Sequence, residues 1–113
     1  EVLTYFSERI AAARALGIND LILDPGFGFA KNVDQNFMML QRFADFKIAG
    51  LPLLAGISRK SMIYKTLGTT ADQALNGTTF LHAFALQGGA NILRVHDVKE
   101  AVEAVSLFEK LQM

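Results

Sequence analysis

Apolar and polar positions alternate along the chain with two different periods. Val2, Leu3, Phe6, Ile10, Ala13 and Leu16 recur every three or four residues, which predicts an amphipathic helix over residues 1–16 closed by Gly17. Leu21-Ile22-Leu23 is a short apolar run that stops at Asp24-Pro25-Gly26, read as a strand end followed by a turn. After the glycine loop Gly26-Phe27-Gly28-Phe29, residues from about 34 to 46 predict a second helix with Phe37, Met39, Leu40 and Phe43 on its buried stripe. Residues 51–57 form a second buried strand, with Pro52 near its start, where a missing N–H is tolerated. A short helical turn is expected over 59–66. Thr70, with Gln73 three residues on, carries a capping-box signature for a helix to about Leu86. Residues 90–95 are the third strand, and Asp97 the N-cap of a last helix to about Leu111.

The order is therefore α-βα-βα-βα. Continuous apolar strands between helices indicate a parallel sheet covered on both faces. The opening helix has no strand before it, and three parallel strands leave two edges bare. A complete (β/α)8 barrel needs about 250 residues, so the 113 residues are expected to be a piece of a larger α/β protein. A small complete three-strand domain is the alternative.

Composition narrows the chemistry. Apolar residues make up 51% and charged residues 19%, enough to bury a core. Eleven basic and eleven acidic side chains cancel, so net charge makes no case for nucleic acid or an acidic membrane surface. The absence of cysteine excludes disulfides, zinc-thiolate sites and a thiol nucleophile. His82 and His96 are too few for a His-rich metal site. No apolar run approaches the roughly 18 residues of a membrane span, and no signal-peptide pattern opens the chain. A soluble, cytoplasmic protein is expected.

The polar residues gather at the carboxyl ends of the three strands: Asp24 after the first, Ser58-Arg59-Lys60 after the second, Arg94-Val95-His96-Asp97 after the third. Parallel α/β folds place ligands on that face. With Lys31 it carries four cations against two anions, which suits an anionic ligand. Each residue also has a plain structural reading. Asp24 can begin a turn, Ser58 and Ser61 can cap a helix, Arg59 and Lys60 can be solvated charges, and His96 can be a satisfied core histidine. Asp97 is read chiefly as a cap and His82 as structural. Phe27 and Phe29 can stack on a flat ligand or plug a barrel mouth. The coincidence of suitable groups at all three strand ends favours a site. A helix starting just after residues 58–61 turns N–H groups toward it. Arg94 offers a planar fork to phosphate oxygens, and His96 a donor or an acid. Asp24 could accept two parallel N–H bonds from an aminopyrimidinone-like edge.

Residues 23–31 (LDPGFGFAK), 56–63 (GISRKSMI) and 94–98 (RVHDV) closely resemble three motifs of bacterial dihydropteroate synthases, in order and spacing. The resemblance covers essentially the whole chain. It implies the C-terminal portion of a TIM (β/α)8 barrel, with residues 1–113 supplying strands six to eight and their flanking helices. The implied activity is a transferase of folate biosynthesis and a sulfonamide target. It condenses 6-hydroxymethyl-7,8-dihydropterin diphosphate with p-aminobenzoate, releasing pyrophosphate with Mg²⁺ assistance. The resemblance matches Asp24 to the pterin-anchoring carboxylate and Lys60 to the lysine on the pterin ring. It matches Arg94 and His96 to the diphosphate pair, and Ser61 to the p-aminobenzoate carboxylate contact. Phe29 lies where that ring packs, and Arg59 is in the same loop. Lys60, Arg94 and His96 are thus the candidate catalytic groups. Ala30 stands where the family usually has Gly. The metal ligand is expected in the family's N-terminal half, outside this chain, so the piece alone is expected to be inactive. A homodimer through the later helices is implied. The competing expectations are a catalytically silent half-barrel for binding or dimerisation, and another pterin-binding barrel such as a methyltransferase.

Overall fold

The computed structural model describes residues 2–18, 20–28 and 31–112. Helix α1 (Val2–Ala15) lays Leu3, Phe6 and Ile10 against the core. It closes as the glycine signal predicts: Gly17, at φ +82°, donates to Arg14, and Ile18 donates back to Ala13 at 3.0 Å. Leu16 departs from the predicted stripe. It follows the last helical residue and is 81% exposed.

Three parallel strand segments then lie side by side in chain order, with much shorter ladders than the apolar runs suggested. Leu23 bridges Leu53 in parallel, through Leu23 N–H to Pro52 O and Leu54 N–H to Leu23 O. Strand β1 (Leu54–Ala55) pairs with β2 (Ile92–Leu93) in parallel, Leu54 opposite Ile92 and Ala55 opposite Leu93.

The connecting helices depart from the prediction twice. The second helix, α2 (Val33–Gln41), carries a capping box between Asn32 and Gln35 that the sequence reading missed. It does not continue to residue 46; the chain tightens into a 3-10 segment, Phe43–Ala49. With three residues per turn, Phe43 and Phe46 fall on one face, and both are buried. After α3 (Ser61–Leu67), Thr70 makes no side-chain cap. A 3-10 turn, Ala71–Gln73, follows instead, and α4 (Leu75–Gln87) begins only after it. Arg59 donates to the carbonyls of Ala71 and Asp72 and ties this turn to the loop after β1, while the Ala71 carbonyl also accepts from the Ala74 amide. Helix α5 (Val98–Leu111) ends the fold and packs on α4.

Phe27, Phe43, Leu53, Ile57 and Met62 form the centre of the core. Among the described residues neither outer edge of the sheet has a strand partner. Beside each edge lies an apolar groove. One, of about 450 Å³, includes Leu3, Phe6, Ile10 and Leu23; the other, of about 660 Å³, includes Leu86, Leu93, Val95 and Val102.

Candidate functional site

The polar groups meet at the carboxyl tips of the strands. Asp24 makes the turn of its structural reading and adds an ion pair within the fold. Oδ1 accepts from the Gly26 amide at 3.0 Å, closing the turn, and Oδ2 accepts from Arg94 Nη1 at 3.1 Å. The carboxylate is thus only half-buried and committed to a neighbour within the fold. Arg94 lies across the backbone of Gly56, so close that a Cβ there would stand 2.4 Å from Nη2.

The Gly26–Gly28 loop folds over Lys60. Gly28 has φ +89°, and a Cβ on it would meet Lys60 Cδ at 3.0 Å, so glycine serves both the turn and the approach. Lys60 Nζ donates to Phe27 O. Burial holds the Lys60 ammonium below its usual pKa; the Arg94 cation adds to this and Asp24 opposes it. Lys31 Nζ reaches the carbonyls of Pro25 and Gly26. Of the two readings of Phe27, the structure selects the plug: it is fully buried, its ring centroid 5.8 Å from that of Phe43. Phe29 and Ala30 lie outside the described residues.

On the other side of the tips, Ser58 is buried and does not cap a helix. Its Oγ accepts from the His96 amide at 3.1 Å and meets His96 Nδ1 at 2.8 Å. The Ser58 contact engages Nδ1 of the ring. His96 is exposed, so it is not a core histidine. His82 is the buried one; burial holds its pKa below 6.5, and Nε2 has no hydrogen-bond partner among the described residues.

Asp97 corrects its predicted role. It occupies the N-cap position of α5 but makes no capping bond. Its oxygens instead accept from Arg59 Nε at 2.9 Å and Nη2 at 3.0 Å. That hydrogen-bonded pairing holds the Asp97 carboxyl below its ordinary range. Arg59 is the non-glycine residue with positive φ among the described residues, at +55°, a conformation costing roughly 1–2 kcal/mol. Its own amide donates to Thr78 Oγ1 at 3.0 Å. Ser61 opens α3 beyond Lys60, whose backbone is the cap. Ser61, Lys60, Gly28, Phe27 and Tyr64 line an open groove of about 390 Å³.

The structure thus brings Asp24, Lys60 and Arg94 together, holds His96 on the Arg94 tip against Ser58, and turns Arg59 toward Asp97. Two residues escaped the sequence reading: Thr78, and Asn36, whose Oδ1 accepts from the Gly28 amide at 2.9 Å. A signal for Asn36 existed, since it is a polar residue within the apolar stripe of α2. Among the described residues no three His, Asp or Glu side chains gather as a metal-holding group.

A sequence profile described as "pterin binding enzyme" matches residues 1–96, and the chain belongs to that family. Its fold is part of a (β/α)8 barrel. It is similar to the dihydropteroate synthase of Escherichia coli (strain K12), 48% identical over 111 residues, which are 96% of this chain and 39% of that protein. The chain therefore spans about two fifths of the length of such relatives. The crystal structure of Yersinia pestis dihydropteroate synthase superposes with a TM-score of 0.95 at 40% identity, covering 98% of this chain and 53% of that one. The Xanthomonas albilineans dihydropteroate synthase with 4-aminobenzoic acid gives 0.94 at 38% identity, covering 98% and 42%.

Proposed function

We propose that this chain supplies the strand-tip part of a dihydropteroate synthase site. The observation that carries the reading is the meeting of Asp24, Lys60 and Arg94 at the tips of three adjacent parallel strands. In the reaction, the bond between the pterin methylene carbon and the diphosphate oxygen breaks, and its electron pair leaves with pyrophosphate. The amine of p-aminobenzoate forms the new C–N bond and gives up a proton. Asp24 anchors the amino edge of the pterin, exchanging its Arg94 bond for N–H donors of the ligand. Lys60 lies along the ring. Arg94 and His96 Nε2 hold the charge that grows on the departing diphosphate, which is electrostatic stabilisation where charge develops. Ser61 takes the p-aminobenzoate carboxylate at the mouth of the groove. The described residues do not gather three His, Asp or Glu side chains to hold magnesium.

The reading carries with it a cytoplasmic homodimer. Support comes from the exposed rings of Phe80 and Phe84 on α4, with centroids 5.2 Å apart. No described helix is long and apolar enough to cross a membrane.

The test is a chimaera in which this sequence replaces the matching segment of the Escherichia coli synthase. The chimaera is expected to form dihydropteroate, and Arg94→Ala or Lys60→Ala within it to slow turnover about a hundredfold. Near-parent rates in both variants would refute the assigned roles. The chain alone is expected to consume no p-aminobenzoate, and substantial turnover by it would overturn the partial-site reading.

A further inference from the structure

Arg59 lines the groove at the strand tips, yet its guanidinium makes four hydrogen bonds and all of them go to protein oxygens. Two go to the carboxylate of Asp97, at 2.9 and 3.0 Å, in a fork-to-fork pair. Two go to the carbonyls of Ala71 and Asp72, at 2.8 and 3.1 Å. Its backbone N–H is held by Thr78 at the start of α4. Three separate stretches therefore meet on one side chain: the loop after β1, the 3-10 turn before α4, and the loop after β2. The immediate neighbours of this pair carry the candidate ligand groups. Ser58 and Lys60 flank Arg59, and His96 precedes Asp97.

We propose that Arg59 is a positioning residue and not a ligand contact: paired with Asp97, it clasps the two strand-tip loops so that Lys60 and His96 face one ligand, Lys60 its ring and His96 its diphosphate. The proposal rests on the diphosphate reading of the site given above. It makes a prediction opposite in sign to direct contact. Asp97 is an anion near an anion-binding face, so by charge alone its removal should tighten phosphate binding. If Asp97 acts through the clasp, its removal weakens binding, because the loops lose their register. A residue that works only through its partner also has no effect once the partner is gone.

The probe is inorganic pyrophosphate, titrated calorimetrically into the chain. Arg59→Lys keeps the charge and loses the fork; Asp97→Asn keeps the shape and loses the charge. Each is expected to weaken binding about tenfold, and the double variant no further. Unchanged or tighter binding in Asp97→Asn overturns the clasp, as does a double variant whose losses simply add. Hydrogen exchange supplies an independent readout. The His96 amide, held by Ser58 Oγ, is expected to exchange faster in both variants, while the Leu54 amide, bonded to Leu23 O across the sheet, keeps its protection. Unchanged His96 exchange also overturns the clasp. A parent chain that binds no pyrophosphate sinks the diphosphate reading, and the exchange result then decides the clasp by itself.

Discussion

Substitution of Gly56 by alanine separates the site from the fold. Gly56 is buried directly after β1, and the Arg94 side chain crosses over it. A methyl group there would stand 2.4 Å from Nη2, 3.0 Å from Cζ and 3.2 Å from Nε. Normal contact requires about 3.5 Å or more, so the guanidinium must move by about an ångström and cannot keep its 3.1 Å bond to Asp24. The fold can tolerate this, because the Arg94 side chain is 53% exposed and can swing into water. An off-rotamer position costs about 0.5–1.5 kcal/mol. Alanine offsets about 0.4–1 kcal/mol of that by restricting the unfolded chain. Stability should change by no more than about 1 kcal/mol, the difference of those two figures. Ligand binding should not be spared. A hydrogen bond from a charged donor is worth about 1.5–3 kcal/mol, so inorganic pyrophosphate should bind roughly ten- to a hundredfold more weakly, and Arg94→Ala should match it. Urea denaturation and calorimetric titration of the same samples give both numbers. Pyrophosphate affinity within twofold of the parent would refute the reasoning, as would a stability loss above about 2 kcal/mol, which would mean that Arg94 cannot yield.

Two further predictions concern the core. Phe27→Ala empties the fully buried position against Phe43 and should cost about 3–5 kcal/mol in urea denaturation at unchanged slope; a loss below about 1 kcal/mol would show that the ring is not the plug described. His82 is held neutral below 6.5 by burial. The unfolded chain therefore takes up a proton in a range where the native chain does not, and stability falls as pH drops below about 6.5, by up to about 1.4 kcal/mol per unit, until the lowered native value is reached. His82→Leu should flatten that part of a stability-versus-pH curve and leave the curve above it unchanged; a slope that survives the substitution assigns it to another group.

The alternation of helices with short parallel strands could be read from the chain because each helix repeats its apolar positions at its own period. The strand tips could be read because parallel strands carry all their carboxyl ends to one side. The sequence therefore predicts Asp24 and Arg94 on one face, and they meet there. Thr70 shows the limit. Its capping-box pattern is sound locally, but the chain takes a 3-10 turn there, which Arg59, 12 residues from Ala71, ties to the loop after β1. Asp97 shows the same: its cap pattern lost to a guanidinium 38 positions away.

What the sequence determined by itself was the order of elements, the face on which the chemistry sits and the kinds of charge found there. Only the tertiary structure decided the pairings: Ser58 with His96, Arg59 with Asp97, and Asp24 with Arg94 across 70 positions. Periodicity is a property of neighbouring residues, whereas a hydrogen bond depends on two atoms arriving within about 3 Å of each other. That arrival is set by the parallel register of the three strand segments, which brings their tips side by side.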